Sequence, residues 1–140
     1  MNKADWVEGT RQAVAAVTDF SHVEPFEQWL TDGLLEIKFE WNDPSVAVMR
    51  LLASPYQLFF FAGCGTRLEL DRPEDSWTEA VRLAKGVAAG GLTERVGRFR
   101  IRFAINLPDG EVIRGSSCSF KRTQPGERGT HCYAPYPAIR

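Results

Sequence analysis

The sequence predicts an α+β fold: a two-layer, largely antiparallel sheet of five or six strands, with two amphipathic helices packed on one face. Three observations carry that expectation. Two segments, 2–17 and 74–89, repeat apolar residues at helical spacing. The segments between and after them alternate with period two, or form short apolar runs closed by Pro, Gly, Asn and Asp. These strand-like segments follow one another through hairpin-sized turns and not through helical crossovers, which is the connectivity of an antiparallel sheet.

In the first helix Trp6, Val7, Thr10, Ala13, Val14 and Val17 form one stripe. Asn2 is placed to cap it, and Asp5 puts a carboxylate near its positive end. Gly9 falls near the polar side. Residues 24–32 read as a short helical turn or two, with Pro25 in the first turn and Phe26, Trp29 and Leu30 at i, i+3 and i+4. Asp32-Gly33 ends that segment.

Leu34–Trp41 is the most regular strand: Leu35, Ile37, Phe39 and Trp41 point one way, and Glu36, Lys38 and Glu40 the other. Asn42–Ser45 is a turn, and Val46–Leu52 returns as a second strand. After Pro55 comes the most apolar and aromatic run in the chain, Tyr56–Gly65, whose two faces are both apolar. That pattern assigns it to the centre of the sheet. Gly63 and Gly65 break or bulge it, and Thr66–Leu70 either prolongs it or forms a further short strand.

The second helix has Trp77, Ala80, Val81, Ala84, Val87 and Ala88 on its stripe. Asp71 or Ser76 can cap it, Ser76 and Glu79 have capping-box spacing, and Gly90-Gly91 supplies the stop. Arg98–Asn106 and Glu111–Arg122 form a hairpin across Leu107–Gly110. Phe99, Ile101, Phe103 and Ile105 are expected inside, and the more polar second arm reads as an edge strand. Residues 1–123 form a single α+β domain, and 124–140 an irregular C-terminal tail that Tyr133 and Tyr136 could pin to the body.

Composition narrows the function classes. With 44% hydrophobic and 25% charged residues, the chain is of the soluble globular class. No apolar run approaches the roughly 18 residues needed to cross a membrane, and Met1–Trp6 has no secretory apolar stretch. Three scattered cysteines, Cys64, Cys118 and Cys132, are no disulfide framework and fit a cytoplasmic location. The net charge of −1 conceals an asymmetry: residues 1–81 carry 6 basic against 14 acidic groups, and residues 82–140 carry 11 against 4. One face can therefore seek a charged partner.

Motifs for catalysis are sparse. Cys64, between two glycines at a strand end, could present a nucleophilic thiol, but only His22 and His131 could serve as imidazole bases. No paired Cys or His spacing marks a metal, and no phosphate-binding or dinucleotide glycine motif occurs. No catalytic residue, metal or cofactor is therefore assigned. The charged strands carry more information. Arg98, Arg100 and Arg102, at period two, place guanidinium groups roughly 7 Å apart on one face, and Arg95, Arg114, Lys121 and Arg122 can join them. Glu36, Lys38 and Glu40 form the charged face of the earlier strand. Glu36, Lys38, Glu40, Arg98, Arg100 and Arg102 are the candidate partner-binding set.

The sequence of Leu35–Trp41, a hairpin into Val46–Leu52, an aromatic strand and a helix ending in Ala88-Ala89-Gly90-Gly91 resembles the small immunity proteins of bacterial polymorphic toxin systems, over residues 34–91. The resemblance implies a non-enzymatic cytoplasmic inhibitor that neutralises one cognate toxin through a charged surface, with a basic toxin domain as the suggested partner. Two alternatives stand beside it: a small enzyme with a Cys64-centred pocket, and a nucleic-acid or assembly module using the arginine row. The acidic balance of the chain counts against nucleic acid.

Overall fold

The computed structural model of the protein describes residues 3–20, 24–41, 43–118, 126 and 128–137. It is an α+β structure in which the described residues form two helices and nine strands. Helix α1 (Lys3–Phe20) is followed by β1 (Pro25–Thr31), β2 (Leu34–Phe39), β3 (Met49–Ala53), β4 (Leu58–Ala62) and β5 (Thr66–Leu70). Helix α2 (Pro73–Ala88) then leads to β6 (Leu92–Val96), β7 (Arg100–Asn106), β8 (Val112–Cys118) and β9 (Gly129–Cys132). The first five strands form an antiparallel meander in the order β1-β2-β3-β4-β5, and the other four a second antiparallel sheet in the order β8-β7-β6-β9.

The expected single sheet of five or six strands is thus corrected to two sheets. The strand that makes the difference is β6. Its alternation of Leu92, Glu94 and Val96 has a carboxylate at the middle position, which hides the period, yet all three side chains are buried. β6 pairs with β7 on one side and β9 on the other, and so becomes the centre of its own sheet.

The core obeys the period of two on both sheets. Leu35, Ile37 and Phe39 on β2, Met49, Leu51 and Ala53 on β3, and Leu58, Phe60 and Ala62 on β4 are buried in one cluster with Leu92, Phe103 and Ile105 of the second sheet. Helix α2 adds Ala80, Leu83, Ala84, Val87 and Ala88 to it. Trp6, Val7, Thr10 and Val14 of α1 are buried as its stripe requires. The cap at Asn2 and the side chains of Asp5, Ala13 and Val17 lie outside the described residues.

Four local expectations change. Residues 25–31 are a strand and not a helical turn, because the Thr31–Leu34 hairpin offers β2 as a partner and pairing outweighs the helical spacing of Phe26, Trp29 and Leu30. Helix α2 begins at Pro73 with Arg72 at its N-cap and no side-chain cap, so Ser76 is a buried helical residue instead of a cap. Gly9 is on the buried side of α1, where any Cβ would collide with the Trp77 ring of α2. Within the C-terminal segment Gly129–Cys132 forms β9 and pairs with β6, and Tyr136 is buried, with its hydroxyl donating to the Ala47 carbonyl at 2.5 Å.

Among the described residues no helix is long and apolar enough to cross a membrane.

Candidate partner-binding surface

The face of the second sheet opposite the core is built by alternation. With Leu92, Glu94 and Val96 turned inward, Thr93 and Arg95 of β6 face out; with Ile101, Phe103 and Ile105 inward, Arg100 and Arg102 of β7 face out. Register then assembles the group: Arg95 is opposite Arg102, Arg102 opposite Ser116, and Ala104 opposite Arg114 of β8. Two shallow concavities lie on this face. One, of about 310 Å³, is lined by Arg95, Gly97, Arg100 and Arg102. The other, of about 390 Å³, is lined by Arg102, Phe103, Arg114, Gly115 and Ser116, so Arg102 serves both.

The ion pairing elsewhere sets these four arginines apart. Arg11 pairs with Glu27, Arg50 with Glu36, and Arg67 with Glu69. Arg82 meets Glu79, Asp109 and Glu111 at 2.7, 2.7 and 2.5 Å, and those carboxylates raise its pKa, Glu111 most. Among the described residues no carboxylate stands within ion-pair distance of Arg95, Arg100, Arg102 or Arg114. Two like charges directly opposite on neighbouring strands, as Arg95 and Arg102 are, cost stability. Among the described residues no ion pair offsets that cost.

Arg98 belongs to a different place. It lies in the β6–β7 turn, outside the strand, and has an interaction of its own. Phe99 beside it is 56% exposed, not buried as its position in the alternation implied, because β7 begins only at Arg100. The structure thus brings Arg100 and Arg102 together with Arg95 and Arg114, and sets Arg98 at their margin.

The charged face of β2 is less available than its alternation suggested. Glu36 is only 3% exposed. Its carboxylate accepts from Gln28 Nε2 at 3.1 Å and Arg50 at 3.4 Å, with the Lys38 ammonium 3.7 Å away. Lys38 is half-buried and Glu40 exposed. On the same face Phe59 and Phe61 stack at 6.3 Å, and the guanidinium groups of Arg50 and Arg67 lie over their rings. Cations and carboxylates here satisfy each other.

Cys64 occupies the β4–β5 turn, and what faces it was not legible in its neighbours. Gly63 has a φ of 60°, and a Cβ there would collide with Glu94 Oε1. The turn directs the Cys64, Gly65 and Thr66 N–H groups onto the wholly buried Glu94 carboxylate at 2.8, 3.1 and 3.0 Å. The Thr66 hydroxyl adds a bond of 2.7 Å and the Tyr133 hydroxyl one of 2.5 Å. Three converging backbone N–H groups make an anion-holding concavity, filled here by a side chain of the other sheet. The Tyr133 phenol has its pKa pushed well up, by burial first and then by its bonds to Cys64 and Glu94. Cys64 Sγ lies 3.4 Å from the Tyr133 hydroxyl, whose single proton is bound to Glu94. A cleft of about 260 Å³ opens alongside, lined by Lys38, Arg50, Phe61 and the Gly63–Thr66 turn among others. Among the described residues no group of three or more His, Cys, Asp or Glu could hold a metal ion.

Comparison of the chain with protein-family models, with curated proteins and with solved structures yields no match.

Proposed function

We propose that the protein is a non-enzymatic cytoplasmic binding protein of the immunity type, which docks an acidic patch of a cognate toxin on its Arg95–Arg100–Arg102–Arg114 face. The observation that carries this reading is the contrast in pairing: these four guanidinium groups lack carboxylate partners among the described residues, while Arg11, Arg50, Arg67 and Arg82 all have them. An unpaired guanidinium cluster is suited to bidentate recognition of carboxylates. The exposed Phe99 at its margin supplies an apolar anchor of the kind that concentrates binding energy in protein interfaces. The burial of Glu36 and the internal pairing of Lys38 and Arg50 favour, in this reading, an acidic partner surface over the basic one first suggested.

The test is capture with wild-type and Arg95→Glu/Arg102→Glu protein as bait, followed by coexpression of any captured protein in a host. The proposal requires a partner retained by the wild type and lost by the variant, whose toxicity the wild type relieves. A retained partner that is nucleic acid, or one that both baits hold equally, would overturn it.

A further inference from the structure

We infer that the hollow bounded by Arg95, Arg100 and Arg102 is a phosphoryl site, which takes a dianionic phosphoryl group between the three guanidinium groups. This site rests on the docking reading for the openness of the face. It adds a second ligand, which competes with the partner's carboxylates for the same arginines.

Cross-strand register composes this face row by row. One row runs Ser116, Arg102, Arg95, Thr130 across all four strands, and the next runs Arg114, Ala104, Thr93, Cys132. All four side chains of the first row are exposed, and all four are hydrogen-bond donors. Arg100 follows Arg102 along β7, and with Gly97 these arginines enclose the hollow of about 310 Å³. The outward positions of β6 to β9 hold four arginines and no carboxylate, because the one acidic residue of these strands, Glu94, is buried on the other side. Lys121 and Arg122 lie outside the described residues.

Three positive charges around one hollow select the ligand. A carboxylate brings a single negative charge and two oxygens, and leaves most of the repulsion between the arginines in place. A phosphodiester also carries one negative charge and has the same shortfall. A phosphoryl dianion brings a charge of about −1.5 to −2 and three acceptor oxygens. That is enough for a two-pronged contact with each of Arg95 and Arg102 and a further bond from Arg100. The hydroxyls of Ser116, opposite Arg102, and Thr130, opposite Arg95, stand at the two ends of the row as additional donors. In the free protein the opposed Arg95 and Arg102 cost stability, and a dianion between them removes that cost.

The test follows the arginine Nε–H signals of the full chain by nuclear magnetic resonance while inorganic phosphate is added at constant ionic strength. Those of Arg95, Arg100 and Arg102 should shift together and saturate with one affinity. Acetate and dimethyl phosphate should bind about tenfold more weakly or worse, since each forms fewer charged hydrogen bonds. Arg102→Ala should weaken phosphate binding by about tenfold or more. Arg67→Ala, which removes the same charge from the first sheet, should keep the wild-type affinity. A phosphoserine peptide separates the two sources of a phosphoryl group: tighter binding than inorganic phosphate points to a phosphorylated side chain, and weaker binding to a free phosphate compound. Failure to saturate, equal affinity for acetate or dimethyl phosphate, or an equal loss in Arg67→Ala overturns the site. Phosphate binding with no captured partner would overturn the docking reading alone. A partner held through Arg95 and Arg102 by a chain that does not bind phosphate would overturn the phosphoryl site alone.

Discussion

The Glu94 side chain holds the Cys64 turn in place from the other sheet, accepting the Cys64 N–H at 2.8 Å across 30 residues of sequence. Together with the bonds from Gly65, Thr66 and Tyr133 it makes Glu94 the main polar link between the two sheets. Glu94→Gln keeps the shape but turns an amide NH₂ towards backbone donors. Leaving buried N–H groups unsatisfied costs about 1–3 kcal/mol, so denaturant unfolding should show a loss of that size or more. A variant as stable as the wild type would show that the link is dispensable.

Tyr133 makes stability depend on alkaline pH. Its folded pKa is raised, chiefly by burial, above an unfolded value of about 10. Tyr136 is raised by burial as well. With folded pKa values above unfolded ones, their contribution is fully present below about pH 10 and is lost as the pH rises through the folded values. Unfolding free energy should therefore fall from about pH 10 upwards. Tyr133→Phe should flatten that fall while lowering stability near neutral pH, through the lost bond to Glu94.

Gly9 offers a test in which two effects oppose each other. In an isolated helix Gly9→Ala would stabilise by about 1 kcal/mol. Here the added methyl group would meet the Trp77 ring, and overpacking of that kind costs about 1–3 kcal/mol. Urea unfolding of the variant should show a net loss. A net gain would mean that the two helices can separate freely at this point.

Glu36 and Glu40 share a face and alternation but should behave differently. Glu36→Ala strands Arg50 and Gln28 beside a vacated, buried position and should cost about 1–3 kcal/mol. Glu40→Ala, at an exposed site with a 3.9 Å contact to Lys38, should stay within about 0.5 kcal/mol of the wild type. Equal effects would refute the distinction drawn from burial.

Much of the fold was legible because its signals are periodic. The described part of the α1 stripe, the α2 stripe from Ala80 to Ala88, the inward Leu35, Ile37 and Phe39 of β2 and the turn at Leu107–Gly110 all appear in the structure. What was hidden depended on partners distant in sequence. Phe26, Trp29 and Leu30 have helical spacing, and only the presence of β2 turns them into a strand. Glu94 looks like a surface residue until the N–H groups of residues 64–66 are brought to it. Of the six candidate binding residues, Arg100 and Arg102 share one open face, and Arg95 and Arg114, expected as neighbours of the row, join them through cross-strand register. Glu36 is covered by its neighbours on β1 and β3.

The pinned C-terminal segment has a kinetic consequence. The Ser45 carbonyl accepts the Ala134 N–H at 2.7 Å, the Ala88 carbonyl accepts that of Tyr136 at 2.7 Å, and the Tyr136 hydroxyl reaches Ala47 across 89 residues of sequence. β6 likewise gains its second neighbour only from residues 129–132. Contacts that close such long loops form late and slow the search for the native state. Until they form, β6 has β7 as its one strand neighbour among the described residues, so the last segment to arrive closes the second sheet.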